Sequence, residues 1–426
     1  MTKALGQYSR GVSIIGIGCT PFRKMVGDPE WDGYTEGELF GYAAIEAMED
    51  AGIGAKDLQF YYHGSALPAF FSDYVSPSAQ VAEWFGVRGL GSSHCSSGCC
   101  TGFVTFDQAV NAVASGKYDF VLAGGVEMGN SLPYPDKPAH MRRQMTFQDL
   151  LVTVRQLYDR AYTRPMQAGR FQHDTPIGAY MHKYGIDAET VDLGLCSYAY
   201  HGRRASVLNE RALNHVSYDE LAEQNGFASA MEYLQSPCNP KSSAYVRASG
   251  MVDCCEGAAA CVLCPTEMAR DYCDKPIQVL GSGVSVYEAM NPGNALLASK
   301  EACRQVYEQT GVSPDELDLL SANDITAWNA VEGAEASGYI PEGETLQYFI
   351  DGRCAYDGDK PLNTSGGRSN FGQAHGASGL AEVFEVVTQM RGEAGEHQVK
   401  KPVQTAMVRG FGGAMNATAT ILRTLD

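Results

Sequence analysis

Ala43-Ala44-Ile45-Glu46-Ala47-Met48, followed by Asp50-Ala51-Gly52, Lys56-Asp57-Leu58 and Gln59-Phe60-Tyr61-Tyr62-His63-Gly64, decides the fold because the chain contains this pattern twice. The second copy reads Ala302-Cys303-Arg304-Gln305-Val306-Tyr307, Gln309-Thr310-Gly311, Asp315-Glu316-Leu317 and Asp318-Leu319-Leu320-Ser321. Gly52 and Gly311 lie 259 positions apart, as do Asp57 and Glu316. Each copy predicts a helix ended by glycine, a short loop and a strand. Each is preceded by a short apolar strand carrying glycines, residues 12–18 and 277–284. Each is followed by a small-residue motif that opens an apolar helix. These are Cys95-Ser96-Ser97-Gly98 before residues 103–110, and His375-Gly376-Ala377-Ser378-Gly379 before residues 380–387. Both halves close on an apolar strand with a glycine pair, residues 120–125 and 406–413. Helices apolar on nearly every face imply sheets with helices buried between them, so the expected fold is a pseudo-two-fold, layered α/β core. Residues 130–249 break the pattern and are rich in His, Tyr and Arg. The expected organisation is therefore a first half (1–129 with 250–275), an inserted loop and substrate domain (130–249), and a second half (276–426).

The length of 426 residues suits two or three domains. Hydrophobic residues make up 44% and charged residues 19%, the balance of a folded globular chain. A formal charge of −18, from 32 basic and 50 acidic residues, repels nucleic acid and anionic membranes, so neither is an expected partner. No apolar stretch has the length of a membrane span. Residues 1–10 lack the apolar core of a signal peptide, and Arg423-Thr424-Leu425-Asp426 is no peroxisomal address, so a cytoplasmic location is expected. The 13 cysteines include the adjacent pairs Cys99-Cys100 and Cys254-Cys255 in apolar runs, which suits reduced, buried thiols. Cys261-Val262-Leu263-Cys264 has zinc-like spacing but no second pair, so it reads as core. His140, His173, His182, His201 and His215 show no ligand spacing, and no metal is expected.

Cys95 precedes a helix, where unpaired N–H groups and the positive end of the dipole favour a thiolate, so it is the candidate nucleophile. Cys99 and Cys100 point into the helix body. Taken with Ser93-His94-Cys95-Ser96-Ser97-Gly98, four further stretches are informative in order and across both halves. They are Glu256-Gly257-Ala258-Ala259-Ala260, residues 372–379, residues 380–395 and Gly410-Phe411-Gly412-Gly413-Ala414. Together they resemble the thiolase superfamily, in particular its sterol-carrier-protein-x and lipid-transfer-protein branch, over nearly the whole chain. The resemblance implies a duplicated thiolase fold with an α-β-α-β-α core and an inserted loop domain. It implies an acyltransferase in which Cys95 attacks a carbonyl and holds the acyl group. Backbone N–H groups of Cys95 and Gly412 would stabilise the oxyanion, and Asn323 would help form a second oxyanion hole for the enolate. Coenzyme A would be a co-substrate, with no permanently bound cofactor. Arg142-Arg143 and Arg203-Arg204 either meet its phosphates or are ordinary surface charge. A homodimer and a small partner with an OB-fold and a zinc ribbon are expected on the same ground.

Three positions depart from the family pattern. Gln373 and Ala374 replace the histidine and proline of Gly-His-Pro, and glutamine cannot act as a base. Gly410 and Ile325 occupy the two positions where a second, acid/base cysteine would sit. Candidates to move the proton are His375, Asp324, His94, His63, Tyr61 and Tyr62. His375 is preferred, because a neutral imidazole before a helix start suits a base. His94 adjoins Cys95 on a strand and so faces the other way. The favoured function is cleavage or formation of a C–C bond in a 3-oxoacyl-CoA through acyl-Cys95. The altered motifs suggest an aromatic or branched substrate such as benzoylsuccinyl-CoA. A retro-aldolase acting on a β-hydroxyacyl-CoA would explain the lost histidine and cysteine but needs no acyl-cysteine. A non-catalytic acyl-CoA-binding subunit would tolerate those losses but gives no reason to keep Cys95.

Overall fold

The computed structural model describes residues 5–25, 27–66, 76–128, 168–287, 294–412 and 416–425. Its strands are β1 (Val12–Cys19), β2 (Phe60–Gly64), β3 (Gly91–Cys95), β4 (Val121–Glu127), β5 (Gly257–Pro265), β6 (Ile277–Val286), β7 (Leu319–Ala322), β8 (Thr405–Gly412) and β9 (Asn416–Thr424). The helices that frame the site are α1 (Glu36–Asp50), α2 (Thr101–Ala114), α3 (Ala168–Tyr184), α4 (Ala188–Val207), α5 (Asn294–Thr310), α6 (Ala327–Ala336) and α7 (Ser378–Arg391). The strands form one sheet in the order β3-β2-β4-β5-β1-β6-β9-β8-β7. The halves join edge to edge where Val12, Ser13 and Ile14 pair with Val279, Gln278 and Ile277.

The layers follow from which face each helix buries. Helix α1 covers one face of β1, β4 and β5, and α5 covers β6 and β9. Helices α2 and α7 pack on each other and touch strands of both halves, α2 reaching β4 and β6, α7 reaching β5 and β8. This is an α-β-α-β-α arrangement. The glycines of the repeat are what permit it. A Cβ at Gly16 or Gly18 would strike the carbonyls of Ala47 or Ala43 on α1, and one at Gly283 would lie 2.8 Å from Ala302 O on α5. At the centre, a Cβ at Gly102 on α2 would lie 2.8 Å from Gly379 N on α7. The helix ends are also legible: Thr35 and Glu38 form a capping box for α1, and Gly52 and Gly311 take positive φ just beyond α1 and α5.

Helices α3 and α4 pack on the second half, where Ile177, Tyr180, Leu195 and Tyr198 share a core with Trp328, Val331 and Phe349. Cys261 and Cys264, three apart on β5, face opposite sides of the sheet and join different core clusters, which is incompatible with a shared ligand. All 13 cysteines are free, but Cys238 is exposed and Cys95, Cys254 and Cys273 are half-buried, so the expectation of uniformly buried thiols fails at those four. No helix among the described residues is long and apolar enough to cross a membrane.

Candidate active site

Strands β2, β3 and β4 are parallel, with Gly64 paired to both Cys95 and Gly125, so their carboxyl ends align. In the second half β7 and β8 are likewise parallel. Ligands of α/β sheets gather outside such ends. Cys95 is the last residue of β3, Asn323 follows β7, and Gly412 ends β8. Gly412 pairs with Asn416, whose Nδ2 donates to Ser97 Oγ (2.8 Å) and Ser97 O (3.3 Å), so this hairpin end sits on the Cys95 loop. Asn323 N donates to Arg409 O (2.9 Å), and its Nδ2 to Phe411 O (2.8 Å), which ties it to the same strand. The loop carrying Gln373 and His375 arrives through Gly376. A Cβ at Gly64 would lie 3.4 Å from Gly376 O, and one at Gly102 would lie 3.0 Å from it. Bare backbone on both sides therefore holds this loop beside the strand partner of Cys95. All five predicted residues are drawn to one end of the sheet.

Cys95 is half-buried. Burial raises its thiol pKa, the Thr105 hydroxyl opposes that rise, and Asp107 adds to it. The expected thiolate-favouring helix start is not adjacent. A 3₁₀ turn (Gly98–Cys100) intervenes, and Ser97 N is already taken by Thr101 Oγ1 at 2.8 Å. His375 is buried, and burial lowers its pKa to about 4, so the ring is neutral; its Nδ1 has no hydrogen-bond partner within the protein. Gln373 is 1% exposed, with neither Nε2 nor Oε1 partnered, and Asn323 is 0% exposed with Oδ1 unpartnered. An unsatisfied buried polar group costs about 1–3 kcal/mol. Three on neighbouring loops leave polar atoms free to meet a ligand. Phe411 O can only accept, which sets Nδ2 toward it and uses one of its two hydrogens; the unpartnered oxygen can meet an oxyanion only through a bridging donor such as water.

Other candidates lie elsewhere. His63 stacks on Phe40 of α1 (ring centroids 4.8 Å apart) with Nε2 3.3 Å from Glu36 Oε1, on the sheet face away from Cys95. His94 Nε2 lies 3.1 Å from Ser65 O on that same face. The Tyr61 hydroxyl donates to Ser78 O, whereas Tyr62 shares the face of Gly64 and Cys95. Asp324 accepts from Tyr198 Oη (2.6 Å) and Arg368 N (2.8 Å), so it braces its loop and has no oxygen left without a partner. His173 is buried, with Nδ1 3.5 Å from Thr326 Oγ1. Arg203 donates to Asn370 and to Val216 O, and Arg204 pairs with Asp357 at 2.9 Å, so both have protein partners rather than free phosphate-binding charge. His140, Arg142 and Arg143 lie outside the described residues.

Two residues that sequence reading passed over hold the site together. Glu127 ends β4, is 2% exposed, and accepts with Oε2 from Gly376 N (2.9 Å) and Ala66 N (3.0 Å), joining the two halves beside His375. A lone carboxylate closing an apolar strand is the signal that marks it. Asn416 has no comparable signal, because its role depends on a hairpin between distant segments.

Comparison with known proteins places this geometry. The family model "Thiolase, N-terminal domain" matches residues 12–167, and "Thiolase C-terminal domain-like" matches residues 284–424. The chain belongs to the thiolase superfamily. It is accordingly a thiolase-type acyltransferase. It is 28% identical to the acetyl-CoA acetyltransferase of Methanothermobacter thermautotrophicus, over 96% of this chain and 98% of that one. It is 27% identical to the benzoylsuccinyl-CoA thiolase subunit BbsB of Thauera aromatica, over 97% and 98%. In fold it is similar to the Ltp2-ChsH2(DUF35) aldolase (TM-score 0.73, 20% identity, covering 98% and 99%). It is also similar to human mitochondrial 3-ketoacyl-CoA thiolase in complex with CoA (TM-score 0.69, 16% identity, covering 99% and 100%).

Proposed function

We propose that this superfamily member cleaves or forms the C–C bond of a 3-oxoacyl-CoA through an acyl thioester on Cys95, with coenzyme A as co-substrate. The observation that carries this reading is the half-buried Cys95 thiol at the strand ends where Gln373, His375 and Asn323 present unpartnered buried polar atoms. In cleavage, the neutral His375 ring takes the Cys95 proton. The sulfur attacks the 3-oxo carbonyl, and backbone N–H groups of Cys95 and Gly412 receive the oxyanion. Gln373 Nε2 donates to the thioester carbonyl, and Asn323 acts through a bridging water. Residues 130–249 serve as the inserted substrate domain over this scaffold.

The substrate is aromatic or branched. The departures at Gln373 and Ile325 and the likeness to a benzoylsuccinyl-CoA thiolase subunit support that choice. The enzyme is a cytoplasmic homodimer. Edge strand β3 supports the dimer: it reads Gly-Ser-Ser-His-Cys, has no outer partner among the described residues, and carries neither lysine nor proline to discourage pairing. The opposite edge, β7, is covered where Leu320 bridges Leu362. A small OB-fold and zinc-ribbon partner joins the dimer, a reading supported by fold similarity to an aldolase that includes a DUF35 protein. The test is to incubate the enzyme with coenzyme A and a panel of 3-oxoacyl and β-hydroxyacyl thioesters, benzoylsuccinyl-CoA included, and to separate the products. Two acyl-CoA products, lost about 10³-fold or more in Cys95→Ala, are expected. Cleavage of a β-hydroxyacyl-CoA that survives Cys95→Ala would replace this reading with a retro-aldolase.

A further inference from the structure

We propose that Cys254 is a second catalytic thiol, the proton donor to the carbanion released when the C–C bond breaks. The inference rests on the 3-oxoacyl-CoA chemistry proposed above. That chemistry leaves an electron pair on the carbon next to a thioester carbonyl, and some acid must protonate it. Asp324 is enclosed by its partners, and His63 and His94 face the other side of the sheet. Gly410 and Ile325 carry no titratable group.

Cys254 is placed by its backbone. Gln373 N donates to Asp253 O (2.8 Å) and Cys255 N donates to Gln373 O (3.0 Å), a parallel bridge that sets Cys254 and Gln373 side by side. Paired residues of a bridge project to the same face, and neighbours along the chain to the opposite one. Cys255 shows the alternation: it is fully buried, with its sulfur against Gly372. Cys254 is half-buried and shares its face with the Gln373 amide, which is 1% exposed and has no partner on either polar atom. That amide is an independent sign that the face meets a ligand. Lys24 holds the flank through Asp253 at 2.8 Å. Burial, then the neighbouring Cys99 four residues beyond Cys95, push the Cys254 thiol up to about 12, so at neutral pH it carries the proton a donor needs.

The step balances without an oxidant. His375 removes the Cys95 proton, the Cys95 sulfur bonds to the 3-oxo carbon, and the C2–C3 bond breaks with its electron pair on C2. The Cys254 S–H bond breaks and its proton goes to C2, leaving a Cys254 thiolate and a shortened acyl-CoA. The His375 imidazolium returns a proton to the Cys254 thiolate, and His375 then takes the thiol proton of coenzyme A, whose sulfur displaces Cys95 from the acyl group. The Cys95 thiolate recovers its proton from the His375 imidazolium.

Because α-proton exchange needs the acid/base group while acylation needs Cys95, the two are read separately. Wild type and Cys254→Ala are incubated in D₂O with acetyl-, succinyl- and benzoyl-CoA. Acylation is followed by intact mass, and α-deuteration of acetyl- and succinyl-CoA by mass spectrometry. Cys254→Ala is expected to acylate within about twofold of wild type while α-exchange falls about 100-fold or more. If Cys254→Ala fails to acylate, Cys254→Ser, closer in volume, takes its place in the same comparison. Exchange in the variant within about threefold of wild type, or no exchange in a wild type that acylates, overturns the proposal. Failure of the wild type to acylate with any thioester overturns the acyl-cysteine reading itself, and this assignment with it.

Discussion

Cys95 rests as a thiol at neutral pH, because burial at the end of β3 outweighs the Thr105 hydroxyl. Its inactivation by iodoacetamide is therefore expected to keep accelerating as pH rises through and beyond about 8.5, the ordinary cysteine pKa. A rate already level below neutrality would show a resident thiolate instead. His63 gives a second test. Burial, then His94, lower its pKa to about 3, below the ordinary histidine value of about 6.5. The fold thus keeps it neutral while the unfolded chain takes up a proton. Above about pH 6.5 the group is silent, and as pH falls from there toward 3 its share of stability is lost at about 1.4 kcal/mol per pH unit. Glutamine does not titrate, so urea midpoints at about pH 8, 6 and 5 should show His63→Gln losing less stability than wild type as pH falls. Parallel loss in both proteins would contradict the assignment. Sequence alone proposed Cys95 and set His94 on the other face by strand alternation, but it left His63 open, because the face it takes depends on where α1 and Phe40 pack.

At the scale of elements, the crossing of α2 and α7 fixes the site, because α2 follows the Cys95 loop and α7 follows the His375 loop. Gly102 and Gly379 let their backbones touch, and a Cβ at Gly379 would collide with Phe103 N. Gly379→Ala is expected to cost about 2 kcal/mol or more in urea unfolding and to lower kcat, because the clash is with backbone that cannot swing aside. A neutral effect on both would mean that the helices are free to separate. The duplication was legible because it rests on such glycines: wherever a strand or helix approaches another backbone, no other residue fits, and the pattern survives in both halves. The joining of the half-sheets through β1 and β6 was not legible, since edge pairing of apolar strands leaves no mark in either strand's composition. Nor were the ties made by Glu127 and Asn416, which join segments 249 and 319 residues apart.

For the whole molecule, the edge of β3, which has no outer partner among the described residues, carries the dimer proposal. Sedimentation is expected to give twice the 45.9 kDa chain mass, and a lysine at Ser93 to shift the enzyme toward the monomer. A monomer in the unaltered protein would mean that another segment covers that edge. The acidic surface announced by a formal charge of −18 excludes classes of partner without naming one, so the acyl group was not to be read from composition. Covalent chemistry on Cys95 is read by intact-protein mass spectrometry after mixing with a panel of acyl-CoA thioesters, run beside Cys95→Ala. A mass increase equal to one acyl group, absent from Cys95→Ala, is expected. An adduct that persists in Cys95→Ala, or no adduct with any thioester while substrate is still cleaved, would rule out an acyl-Cys95 intermediate.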